Sequence, residues 1–253
     1  MTACGDEKGY PSLDAFYSAS PDQESSSSGG SSSGGTSSGV SCGSSTSGLV
    51  AYLPFDDDTR VLGGTSLRAS QSGPTPSFVS GQFGSALSGS SQVFLEATTS
   101  LSLTSWTACA WVRVSSASNI GFLAVAGESA LNSGVANRGL IPGCGTGEVA
   151  PYVTSRNGGC VVASSPPFAF DSWNFLCIVS DTSQMRIYVD GVTASGGTSI
   201  PLSIASGSAL AIGGGPPGSN AIDEFSLWSR ALTSSEIQNL STSSCSAGDG
   251  ESP

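Results

Sequence analysis

The segment AIDEFSLWSRALTSSEIQNL, Ala221 to Leu240, decides how the rest of the chain is read. Its first half alternates, with Ile222, Glu224, Ser226 and Trp228 on one side and Ala221, Asp223, Phe225 and Leu227 on the other. Apolar side chains fall on both sides, the pattern of a strand covered on both faces near a sheet centre. After a turn at Ser229-Arg230 the chemistry changes. Thr233 followed by Glu236 predicts a capping box, in which hydroxyl and carboxylate satisfy backbone donors of the first helical turn. Leu232, Ile237 and Leu240 are spaced to press one side of a short helix onto the sheet.

Working outward, the other periodic segments are strands. LVAYLPF (49–55), QVFLE (92–96), the run from Trp106 to Val114 and IGFLAVA (120–126) come first. A polar, Gly-rich excursion with short strands follows. WNFLCIVSD (173–181) and MRIYVDGV (185–192) then predict an antiparallel pair, with Asp190-Gly191 as a two-residue hairpin signal into the next strand. SALAIGGG (208–215) precedes the opening segment. Many short strands joined by Gly/Ser turns, with one terminal helix, point to an all-β, two-sheet antiparallel sandwich.

Ahead of this domain, residues 25–47 are nearly pure Ser and Gly. Such a chain cannot bury enough apolar area to offset its conformational entropy, so residues 1–47 read as a disordered tether. The Ser/Gly stretch would reach about 25–30 Å between its ends. Residues 48–245 form the domain, and 246–253 read as a disordered tail. At the N-terminus, Thr2-Ala3-Cys4-Gly5 has small residues around a Cys, as at the end of a bacterial lipobox, so Cys4 is a candidate lipid anchor. The plainer alternative is a free thiol near an arbitrary start.

Six blocks resemble, in order, the laminin-G-like members of the concanavalin A-like lectin/glucanase superfamily. They are GLVAYLPFDDDT (48–59), GQFGSALSGSSQVFLE (81–96), SWTACAWVRV (105–114), SWNFLCIVSD (172–181), MRIYVDGV (185–192) and IDEFSLWSRALTSSEI (222–237). The resemblance implies a jelly roll. It also implies a cross-strand disulfide between Cys109 and Cys177, the pairing found in pentraxins of the same superfamily. Of the remaining cysteines, Cys42 and Cys245 flank the domain where jelly rolls bring both ends together, leaving Cys144 with Cys160. Six cysteines allow fifteen pairings, and spacing alone chooses none. An even set of bridges implies an exported protein.

Composition excludes several functions. Only 11% of residues are charged, with 19 acids against 8 bases and a formal net charge of −11. One Lys and seven scattered Arg cannot make a nucleic-acid patch. No run of eighteen apolar residues exists to span a membrane, so membrane attachment would come through Cys4 alone. Histidine is absent, which removes His-based triads and His-ligated zinc.

A glycan-active enzyme of this fold would need paired carboxylates two residues apart on one strand, about 5–5.5 Å from each other. Glu96, Glu128 and Glu148 lack a carboxylate at that spacing. Asp223 and Glu224 are adjacent and, on strict alternation, face opposite sides. The chain therefore reads as non-catalytic: a surface-displayed or secreted adhesion module for glycan or an extracellular protein. The alternative is a structural envelope domain without a specific ligand. The family resemblance adds a Ca²⁺ site at a strand end, for which Asp223 and Asp56 are the candidates; the plainer reading is that Asp223 accepts backbone hydrogen bonds and Asp56 begins a turn. The four Trp lie in strands or at strand starts and read as core.

Overall fold

The computed structural model describes residues 40–41, 47–70, 75–115, 120–125, 131–137, 149–155, 160–162, 168–215, 220–243 and 245–247. Strands are numbered in chain order. One sheet has eight strands. From one edge it runs β15 (Val192–Thr198), β14 (Gln184–Val189), β13 (Trp173–Ser180), β8 (Trp106–Arg113) and β18 (Ala221–Trp228). On the far side of β18 lie β5 (Ser85–Ser88), which pairs onward with β4 (Phe78–Ser80), and β2 (Leu49–Leu53), each pairing a different part of β18. The second sheet has seven: β12 (Cys160–Val162), β11 (Val149–Ser155), β10 (Leu131–Asn137), β9 (Ile120–Val125), β17 (Ala209–Gly213), β6 (Gln92–Ala97) and β3 (Leu67–Ala69). Among the described residues every strand pairing is antiparallel. This is the expected jelly-roll sandwich.

The opening segment sits where its pattern required. All eight residues of β18 are buried, because it is central and covered on both faces. Ile222, Phe225 and Leu227 enter the core between the sheets, where Phe225 meets Phe122 edge-on at 5.8 Å. Trp228 lies on the opposite face, in a second apolar cluster with Tyr52, Trp111, Phe175 and Tyr188. Helix α1 (Ser234–Leu240) caps that cluster with Ile237 and Leu240. Both halves of the capping box are present. Glu236 is also held by Arg230 through contacts of 2.6 and 3.0 Å. Trp106, Trp111 and Trp228 are buried, and Trp106 donates its indole N–H to the Ile200 carbonyl at 2.7 Å.

The hairpin at Asp190-Gly191 forms with both residues at positive φ, 51° and 77°, as a primed turn demands. Cys109 and Cys177 are register partners on β8 and β13, Cα atoms 4.1 Å apart, and are bridged. Cys160 and Cys245 each take part in a further disulfide. Cys4, Cys42 and Cys144 lie outside the described residues.

Two small sheets complete the architecture. One pairs β7 (Leu101–Leu103) with β16 (Leu202–Ile204). The other pairs β1 (Val40–Ser41) with β19 (Ser246–Ala247), outside the domain limits of 48 and 245 read from the sequence. Two-residue strands reveal no periodicity; the ribbon exists because the fold brings the segments flanking the domain side by side.

Candidate functional site

The site is built by a β-bulge in β18. Asp223 pairs with Trp111 of β8, whereas Ser226 pairs with Cys109, so β18 carries one extra residue between them. Glu224 takes it up at φ 55°. The bulge resets the alternation. Ile222 points between the sheets before it, and Phe225 and Leu227 do so after it. Asp223 and Glu224 therefore emerge on the same, outer side, with Ser226 and Trp228. The opposite-side placement expected from strict alternation is corrected here, because alternation fails where two residues face one partner.

The two carboxylates serve different partners. Asp223 is fully buried, and its Oδ2 accepts the amides of Gln82 and Phe83, each at 2.9 Å. Its Oδ1 is buried without a hydrogen-bond partner. Asp56, just beyond β2, accepts the Ser85 amide at 3.0 Å. The structure thus sets both candidate metal ligands on one tight turn, Gly81–Ser85. The turn closes through the Gly81 amide on the Gly84 carbonyl at 3.0 Å. Its glycines are obligatory: a Cβ on Gly81 would stand 2.6 Å from Asp223 Oδ2, and one on Gly84, at φ 57°, would overlap Asp56 Oδ1.

Glu224 accepts the Tyr52 hydroxyl at 2.6 Å and the Cys245 amide at 3.2 Å through Oε2. The same hydroxyl lies 2.9 Å from the Cys245 carbonyl. Burial pushes the Asp223 carboxyl up to about 7; the Phe83 and Gln82 amides oppose this and the Glu224 charge adds to it. Burial likewise lifts Glu224 to about 7, opposed by the Tyr52 and Cys245 hydrogen bonds and reinforced by the charge of Asp56. Tyr52 is pushed well above an ordinary phenol by burial and then by Glu224.

Among the described residues no three acidic, cysteine or histidine side chains converge into a metal cage. Asp223 and Asp56 are hard-cation ligand types, and an ion held there would need backbone oxygens to complete its shell. The orphaned Asp223 Oδ1 is the atom that such an ion would satisfy. Tyr52 and Glu224 escaped sequence reasoning, since their roles depend on a bulge set by neighbouring strands. The GQFG string at 81–84 was the one local sign of the turn.

A second surface lies on the outer side of the seven-stranded sheet. Register pairs Phe94 with Ala211, Ala211 with Ala124, Ala124 with Asn132 and Asn132 with Thr154. Paired residues share a face, and this row faces away from the core filled by Leu95, Leu210 and Val153. It crosses five strands, about 19 Å at ordinary strand spacing. Beside it stand the Arg68–Glu96 ion pair at 2.9 Å and Gln92, whose Nε2 is buried without a partner.

A profile described as the concanavalin A-like lectin/glucanases superfamily matches residues 87–238, more than half of the chain. The chain belongs to that superfamily. No curated protein matches it in sequence. Solved structures with the same jelly roll include domain 4 of AbnA, a GH43 extracellular arabinanase from Geobacillus stearothermophilus, in complex with arabinotriose. It is 19% identical at a TM-score of 0.52, over 76% of this chain and 98% of that one. The binding domain of Paraclostridial Mosquitocidal Protein 1 is 14% identical at a TM-score of 0.55, over 78% and 52%. The Botulinum neurotoxin type G receptor binding domain is 12% identical at 0.52, over 78% and 51%. This superfamily member thus spans about half the length of the two toxin domains, and at these identities the likeness is one of fold.

Proposed function

We propose that this jelly roll is a non-catalytic binding module for a glycan, displayed outside the cell. The observation that carries the reading is the row Phe94–Ala211–Ala124–Asn132–Thr154 on the outer side of the seven-stranded sheet. Small residues floor it, an aromatic ring ends it, and amide and hydroxyl groups flank it, the mix that orients a polyhydroxylated ligand with an apolar ring face. Gln92 adds an unsatisfied donor. The arabinotriose complex of the similarly folded arabinanase domain supports the choice of glycan over protein. The buried acids support a non-catalytic role, because Asp223 and Glu224 are engaged in holding a turn and a chain end.

Asp223 and Asp56 would hold one Ca²⁺ whose part is structural, pinning the Gly81–Ser85 turn to β18 and the end of β2. Export follows from the bridged cysteines, since such bridges persist in oxidising compartments. Cys4 would carry acyl chains; intact-mass analysis of native protein with an unmodified Cys4 would refute the anchor. No helix of the described residues is long and apolar enough to cross a membrane.

A glycan array with the full chain tests the main reading. Saturable binding lost in Phe94→Ala and Asn132→Ala is the expected result. Absence of binding across broad glycan and matrix-protein panels would leave a structural envelope domain. Turnover of a bound glycan would reinstate an enzyme.

A further inference from the structure

The bulge in β18 gives one strand two buried carboxylates with separate partners. Asp223 grips the Gly81–Ser85 turn, and Glu224 grips Tyr52 and the amide of Cys245. Cys245 leads directly into β19, which pairs with β1. The hydrogen bonds of Glu224 and Tyr52 to Cys245 thus fasten the β1–β19 ribbon to the eight-stranded sheet.

We infer that a divalent cation held by Asp223 and Asp56 tightens the Tyr52–Glu224–Cys245 clasp, so that metal occupancy and docking of the β1–β19 ribbon are thermodynamically linked. This rests on the cation reading above and goes beyond it. Two observations carry the link. Asp223 is fully buried and its Oδ1 has no hydrogen-bond partner, so one acceptor of the bulge is left for a cation to satisfy. Asp223 and Glu224 share the bulge, and shifting it by one residue would turn one carboxylate into the apolar core. An ion anchored on Asp223 therefore holds Glu224 in its outward position.

Linkage is reciprocal: whatever calcium does for the clasp, the clasp does for calcium affinity. The test uses the full chain with calcium chloride alone, against chelator. Calorimetry reads binding, and hydrogen–deuterium exchange reads the amides of residues 245–247. In the native chain calcium should slow their exchange about tenfold, the scale of one hydrogen bond to a charged group. Tyr52→Phe and Glu224→Gln should still bind calcium, more weakly, with the slowing reduced by the same factor. Stoichiometric binding with unchanged exchange at 245–247 would overturn the link while leaving the cation site intact. Absence of calcium binding would overturn both. If either variant fails to fold, judged by near-ultraviolet dichroism, the native comparison decides alone.

Discussion

Positive φ at a non-glycine residue marks stored strain, and among the described residues it gathers near the acids. Phe55 (62°), Asp57 (61°) and Glu224 (55°) flank Asp56 and follow Asp223, while Asp171 and Asp190 lie in turns. Strain of this kind persists where surrounding contacts impose it. Burial of the two acids sets a pH dependence. In metal-free protein the Asp223 and Glu224 carboxyls are raised to about 7, whereas in the unfolded chain they titrate near 4. Between those values the folded chain holds protons that the unfolded chain has released. Stability from these groups is therefore fully present below about pH 4, falls as pH rises towards 7 and then levels. Urea midpoints measured in chelator should drop from pH 5 to pH 8, and Asp223→Asn should flatten the drop. A midpoint that rises over this window would contradict the burial argument.

The strands and the helix differ in how much of them the sequence disclosed. Helix α1 was legible because its signals are local: the Thr233–Glu236 box and the Ile237 and Leu240 spacing form as read. Thr233→Ala should cost about 1 kcal/mol in a denaturation curve; no loss would mean that Arg230 already holds Glu236 in place. Central position in the sheet was equally legible for β18, whose apolar residues fall on both faces. The bulge was not, because an extra residue is defined only against a partner strand, here Trp111 and Cys109 of β8. The Cys109–Cys177 bridge came from family resemblance rather than spacing. It closes 68 residues of sequence, so its removal by Cys109→Ala with Cys177→Ala should lower stability by about 2–5 kcal/mol in urea. A loss below about 1 kcal/mol would show that the β8–β13 pairing holds without it.

At the scale of the whole molecule, the fold's main consequence is that the segments on either side of the domain meet on one side of the eight-stranded sheet. The ribbon pairs Val40 with Ala247 and Ser41 with Ser246. Cys42 follows Ser41 in the chain, and Cys245, which is disulfide-bonded, precedes Ser246. Antiparallel neighbours one step along a register are close enough to bridge, so the expected partner of Cys245 is Cys42, leaving Cys144 for Cys160. A Cys42–Cys245 bond would enclose the entire domain in one covalent loop, the case in which loop-closure entropy is greatest. It would also carry any pull on a tethered N-terminus into the C-terminal segment held by Glu224, bypassing the short ribbon. Non-reducing digestion followed by mass spectrometry should yield one peptide joining Cys42 to Cys245 and another joining Cys144 to Cys160. Recovery of Cys245 linked to Cys144 or to Cys4 would refute this pairing, and with it the route by which the two ends share a load.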